Sequence, residues 1–314
     1  MRFGLQINPH LPGKTGNPWD GVAAVAKAAD ETGYESLFLY DHFLYEGGYS
    51  GHPYPEPVLE CFVTLGAIAA ITKRIILGQL VLGIPYRNPA MLTKMATSLD
   101  MISGGRTILG IGAGWHQREM EAYGWGELEE VGTRMKRFEE AIQVILKLWT
   151  ERPASHDGRF YHLNKVRDSP LPVQRPHPPI MIGGSGEKVT LRLVAQYGQM
   201  CNVSGDAETV RNRIEILKEH CTRLGRPFEE ITVTNHGWVI IGRDRAEVDA
   251  KVERLKDLIP GGAGLAGTPD ELIEHFRGYA AAGSRYCTIQ MPDWIDEAPV
   301  RLFAETVMPA LAAT

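Results

Sequence analysis

Residues 75–89 read Ile75-Ile76-Leu77-Gly78-Gln79-Leu80-Val81-Leu82-Gly83-Ile84-Pro85-Tyr86-Arg87-Asn88-Pro89. An apolar run without polar alternation, closed by a capping residue and a proline at a first helical position, spells a buried strand leading into a helix. The strand is Ile75–Leu82 and its helix opens at Asn88-Pro89. The same pattern repeats on both sides. Upstream, Phe3–Asn8 and Ser36–Tyr40 are strands, followed by helices Trp19–Thr32 and Leu59–Ile71. The first helix carries Val22, Val25, Ala26 and Ala29 at helical spacing, with Gly33 as its C-cap. Downstream, Thr107–Ile111, Pro179–Ile182, Met200–Val203, Ile231–Ile241 and Tyr286–Met291 complete eight strands. Helices are predicted over Arg134–Trp149, Lys188–Gln196, Ala207–Leu224, Arg245–Leu258, Pro269–Ala282 with Thr268 as N-cap, and Val300–Leu311. Eight strands with helical crossovers predict an α/β fold closed as a (β/α)8 TIM barrel, one domain over residues 1–314. The rival doubly wound sheet needs G-x-G-x-x-G after its first strand, and the chain has Pro9-His10-Leu11-Pro12-Gly13 there.

The 314 residues are 44% hydrophobic and 23% charged, an ordinary globular composition. Lys and Arg number 33 against 38 Asp and Glu, a net charge of −5. A mildly acidic chain without a basic block has no electrostatic footprint for nucleic acid or anionic lipid. Cys61, Cys201, Cys221 and Cys287 form no CxxC and read as reduced thiols of a cytoplasmic protein. The start, Met1-Arg2-Phe3-Gly4-Leu5, enters a strand with no secretion signal expected, and the apolar stretch Ile75–Ile84 is too short to span a bilayer. Two connections stand out. Residues 151–179 hold six prolines and little helical period, an insertion that is either a lid or a surface link. Leu44–Pro57, rich in glycine and proline, follows the end of a strand, where barrels place their active sites.

Polar residues just past strand ends are Asn8, Asp41, His42, His116, Asn202, His236 and Gln290. Of these, the Asp41-His42 pair is the foremost acid–base candidate: His42 exchanges a proton near neutral pH and Asp41 orients it. The alternative is a packed histidine. Gly183-Gly184-Ser185-Gly186 lies between a strand and a helix and suits a phosphate, or is merely a tight turn. Gly110, Gly112 and Gly114 alternate at the end of the fourth strand, so either a flat ring or close packing approaches the backbone there. No HxH or HExxH occurs, and metal catalysis is not expected. There is no GxSxG and no GxxxxGK[ST].

Taken in order, these pieces resemble the bacterial luciferase-like superfamily of flavin- and deazaflavin-dependent oxidoreductases. The resemblance is carried by Ser36–Phe43, Leu77–Gly83 with Tyr86–Ala90, Leu99–Arg106, Gly110–Trp115 and Pro178–Gly186. Asp157–Tyr161 ahead of Pro172–Pro179 extends it through the insertion. It implies a ring cofactor at the strand C-termini, a non-proline cis peptide at Leu80-Val81 beneath the ring, and a phosphate on Gly183, Gly184, Ser185 and Gly186. Asp41, Gly112, Ala113 and Gly114 would flank the ring. The Asp-His after strand two and the Gly-Ala-Gly-Trp after strand four resemble the branch using coenzyme F420, a deazaflavin. There His42 would be the proton partner of hydride transfer. Sugar-phosphate dehydrogenases of that branch carry a glutamate where Trp115 stands, which argues against glucose 6-phosphate. No motif assigns Glu46 or His116 a role. An FMN-dependent monooxygenase and a flavin-binding barrel without turnover are the other two readings. Similar proteins commonly form homodimers through the helices after strands two and three, and Leu59–Ile71 is apolar on more than one face.

Overall fold

The computed structural model describes residues 1–8, 17–44, 57–255, 259 and 264–313. Most of the Leu44–Pro57 connection, with Glu46, and the stretch around His10 lie outside these residues. Along the chain, β1 (Arg2–Ile7), α1 (Trp19–Thr32), β2 (Ser36–Leu39), α2 (Cys61–Ile71), β3 (Ile76–Gln79) and β4 (Leu82–Gly83) come first. Next are α3 (Pro89–Ser103), β5 (Thr107–Gly112), α4 (Gln117–Ala122), α5 (Val131–Thr150), β6 (Ala154–Asp157), β7 (His162–Val166) and β8 (Ile180–Gly183). The remainder is α6 (Thr190–Tyr197), β9 (Met200–Ser204), α7 (Ala207–Leu224), β10 (Thr232–Ile241), α8 (Arg245–Leu255), β11 (Leu265–Gly267), α9 (Pro269–Ala281), β12 (Tyr286–Gln290), α10 (Glu297–Thr306) and α11 (Met308–Leu311).

Eight strands pair in the order β1-β2-β3-β5-β8-β9-β10-β12 and return to β1, every pairing parallel. The predicted barrel therefore closes. Alternation along the strands builds two cores. Phe3, Leu5 and Ile7 of β1 face the helices, as do Leu37 and Leu39 of β2. Phe38, Ile108, Met181, Met200 and Tyr286 fill the barrel's inside. Phe38 fits there because its neighbours are small: a Cβ on Gly78 would come within 2.9 Å of its ring.

The helix signals act as read. Asn88 caps α3 by accepting from the Ala90 N–H at 2.9 Å, with Pro89 inside the first turn. Thr268 and Glu271 form a capping box on α9, and Gly33 closes α1 at φ 88°. Several features differ from the sequence reading, among them the unpredicted strand β11, the closing helix split into α10 and α11, and α5 beginning at Val131. The third strand is interrupted after Gln79 and resumes as β4. The six-residue α4 was too short to leave a period. Helix α6 begins at Thr190 rather than Lys188. The proline-rich insertion holds an antiparallel hairpin, β6 with β7, whose residues are too polar to read as strands.

Candidate active site

Because every barrel pairing is parallel, the C-terminal strand ends share one rim. Asp41, His42, Leu80, Val81, Gly112, Ala113, Gly114 and Gly183–Gly186 all stand there, as the barrel reading requires. The ledge comes first. Between β3 and β4 the chain leaves the sheet for two residues, and the Leu80-Val81 peptide is cis. Gln6 donates its side-chain amide to the Leu80 carbonyl at 2.9 Å. The Val81 side chain reaches across the mouth: a Cβ on Gly112 would lie 2.9 Å from Val81 Cγ2, and one on Gly183 2.7 Å from Cγ1. A Cβ on Gly110 would collide with the Gln79 carbonyl. What approaches the alternate glycines is thus the chain's own ledge. Leu80 and Val81 remain half-buried, open to the mouth. Ala113 is half-buried beside them, and Gly114, at φ 77°, leaves room for Pro85.

The glycine loop is smaller as an anion site than expected. Gly184 stands at φ 119°, which side chains rarely adopt. Its N–H donates to the Asn202 carbonyl at 3.2 Å, so this donor serves the barrel and not a ligand. The Leu191 N–H donates to the Gly186 carbonyl at 3.0 Å as α6 begins. Donors for a phosphate therefore start at Ser185, whose half-buried hydroxyl lies beside them.

The acid–base cluster corrects the pairing of Asp41 with His42. The Asp41 carboxylate is buried and bound by Arg87, at 2.6 Å from Nη1 and 2.8 Å from Nη2, with the Gly83 N–H at 3.3 Å. Arg87 Nη2 also donates to Glu60 at 2.6 Å, and Glu60 caps α2. Burial opposes the Arg87 charge, but its bonds to Asp41 and Glu60 outweigh that and raise its pKa. His42 pairs instead with Glu119, on α4: Nδ1 lies 3.0 Å from Oε2. Glu119 has no exposed surface and also accepts from the N–H groups of Phe43 (2.7 Å) and Leu44 (3.0 Å) and from the Tyr86 hydroxyl (2.6 Å). Burial works against its charge, yet the bonds from His42, Tyr86 and Leu44 prevail and hold its pKa at about 2. The His42 ring is ringed by Tyr40, Trp115 and His116, with centroids 5.2–5.4 Å away.

Sequence reasoning missed Glu119, Tyr86, Arg87 and Glu60. The Tyr86-Arg87 pair lies inside a stretch that carried the resemblance, which was its signal. The opposite wall of the mouth is lined by polar side chains. Asn8 and Gln290 are buried, and the Asn202 amide donates to Thr234 Oγ1 at 2.7 Å. Burial lowers the His236 pKa to about 4 despite a hydrogen bond with Gln290, so its ring is neutral at pH 7.

The sequence profile of the luciferase-like monooxygenases matches residues 1–286. The chain belongs to that family. An F420-dependent glucose-6-phosphate dehydrogenase of Nakamurella multipartita is 27% identical over an alignment covering 100% of this chain and 97% of the relative. Among solved structures, a monooxygenase from Streptomyces bottropensis superposes with a TM-score of 0.83 at 22% identity, covering 98% of this chain and 99% of that one. An F420-dependent secondary alcohol dehydrogenase, bound to an F420-acetone adduct, gives 0.82 at 19% identity, covering 99% and 98%. These two likenesses bear on the fold.

Proposed function

We infer that this luciferase-like barrel is a coenzyme F420-dependent oxidoreductase that moves a hydride between the deazaflavin and a small organic substrate. One observation carries it: a histidine held by a buried carboxylate stands at the same rim as a glycine-lined ledge. The residues fit such a cofactor. Around Val81 the ends of β5 and β8 are the glycines Gly112 and Gly183, which present no side chain to a flat ring. The ring system supplies one carbon that takes or gives a hydride. Leu80 and Val81 support it, Gly112, Ala113 and Gly114 flank it, and Ser185 with Gly186 and the turn around Gly183 and Gly184 receives the phosphate. Asp41 braces the rim through Arg87. His42 exchanges the proton. Relatives named as F420-dependent dehydrogenases, aligned across the chain, support the same cofactor. Trp115, in the place of the expected glutamate, directs the reading to a substrate other than glucose 6-phosphate.

Titrating the purified protein with F420 and with FMN, and following its intrinsic fluorescence, tests this. Saturable quenching by F420 near micromolar concentration is expected, about −8 kcal/mol. Gly184→Val should weaken F420 binding at least tenfold, about 1.4 kcal/mol, by forcing the turn out of its conformation. Tighter binding of FMN would favour the monooxygenase reading. F420 binding without turnover of any carbonyl or enone compound in a broad panel would favour a non-catalytic barrel.

The assembly we propose is a cytoplasmic homodimer through α2 and α3, with neither nucleic acid nor membrane as partner. These two helices pack together and expose Val63, Met91, Met101 and Ile102. All four cysteines are buried and unbridged, and among the described residues no helix is long and apolar enough to cross a membrane. Sedimentation at micromolar concentration should give twice the mass of 34.8 kDa; a monomer would remove the dimer.

A further inference from the structure

The Glu119 carboxylate has about four acceptor positions, and four groups occupy them. Oε1 takes the Phe43 and Leu44 N–H groups; Oε2 takes the Tyr86 hydroxyl and faces His42 Nδ1. An ionised carboxylate donates nothing, so the 3.0 Å contact is a hydrogen bond only if the proton sits on Nδ1. His42, His116 and Glu119 also bring three ligand atoms within 4.8 Å of one another, as a metal site would. Here the carboxylate is already saturated, and His116 Nδ1 accepts the Glu119 N–H at 3.3 Å. The cluster is built to hold a ring, not a cation.

We propose that Glu119 is the positioning residue of His42: it fixes the Nδ1–H tautomer, leaves Nε2 as the atom that exchanges protons, and supplies the counter-charge of the imidazolium. This rests on the reading of His42 as proton partner. In the oxidative direction the substrate O–H breaks and its proton goes to Nε2. The adjacent C–H hydrogen leaves with its electron pair as hydride to the cofactor, and a C=O bond forms. In the reductive direction the imidazolium returns the proton. Among the described residues, the titratable groups around the ring are Tyr40 from the end of β2 and His116 and Glu119 from the β5–α4 side, while Tyr86 shares Oε2. Asp41 and Arg87 are committed to each other.

Nitrogen-15 NMR of the histidine rings in the full chain, with and without F420, tests the proposal, His42→Ala assigning the signal. The wild type should show protonated Nδ1 and bare Nε2. In Glu119→Gln the side-chain amide can face Nδ1 as a donor, and the tautomer should invert to Nε2–H. Turnover should then fall by roughly 10²–10⁴, as for a histidine left in the wrong tautomer, with KM little changed. An unchanged tautomer in Glu119→Gln would overturn the proposal. If that variant fails to fold, the wild-type spectrum decides, and an Nε2–H form there overturns it equally. The spectra need no turnover, so the expected tautomer in a protein that ignores F420 would sink the functional reading and leave this one standing.

Discussion

The two rims of the barrel use charge in opposite ways. At the N-terminal rim, Asp30, Arg106 and Asp100 end mainly on backbone, although Glu35 pairs with Arg2 there. Asp30 accepts the N–H groups of Lys73, Arg74 and Ile75 at 2.7–3.0 Å. Arg106 reaches the carbonyls of Ala69, Thr72 and Ile75 at 2.7–3.2 Å. Asp100 takes the N–H groups of Val173 and Gln174 and so fastens the return of the insertion. Each closes a connection that would otherwise leave polar backbone unpaired. At the C-terminal rim, charge meets charge: Asp41 with Arg87, Arg87 with Glu60, Glu119 with His42. Among the described residues, the bonds there turn His42 Nδ1 to Glu119 and give its Nε2 no partner. The first rim holds the fold, and the second holds a proton in a chosen place.

The most severe way to break this contrast is His42→Ala. The variant should fold and keep most of its cofactor affinity while turnover falls by roughly 10²–10⁴, the size of a general acid–base contribution. A stability loss with the rate per folded molecule intact would make His42 a packing residue. The smaller effect belongs to the other rim. Asp30→Ala should cost about 1–3 kcal/mol in denaturant unfolding and leave kcat alone. Burial opposes the Asp30 charge, but the Ile75, Lys73 and Arg74 N–H groups outweigh it and hold its pKa below the ordinary 3.8. Its folded pKa being lowered, its stabilisation is full above pH 3.8 and is lost as pH falls through the folded value. The difference between wild type and Asp30→Ala should therefore shrink in acid. A kcat loss in Asp30→Ala would show that the rims are not separable.

How much of this the sequence carried divides along the same line. The eight strands were legible because parallel strands buried on both faces read as plain apolar runs. The interruption after Gln79 was invisible to that pattern, since Leu80, Val81 and Leu82 continue the run; only the resemblance located it. Asp41 and His42 were legible as rim residues and misread as partners. Side chains of adjacent residues leaving a strand point to opposite sides, so one met Arg87 and the other Glu119. Glu119 itself lies in a six-residue helix near several other acids, and nothing in their order says which one turns inward. The alternate glycines announced a close approach without naming the visitor, because Val81 arrives from another strand.

Arg87 grips both ends of the connection between β2 and α2. Asp41 stands just past the strand, Glu60 just before the helix, and one guanidinium binds the two, with Phe43 and Phe62 beneath it at 5.3 and 5.7 Å. A span whose ends are riveted together is free to change in length and composition. Doubling it costs only about 0.6 kcal/mol of closure entropy, and the strand end and the helix start stay in register. The stretch from Leu44 to Pro57 can thus diverge among relatives, or be exchanged by an engineer, while the proton-bearing histidine keeps its place: variation is quarantined from chemistry by a single clasp.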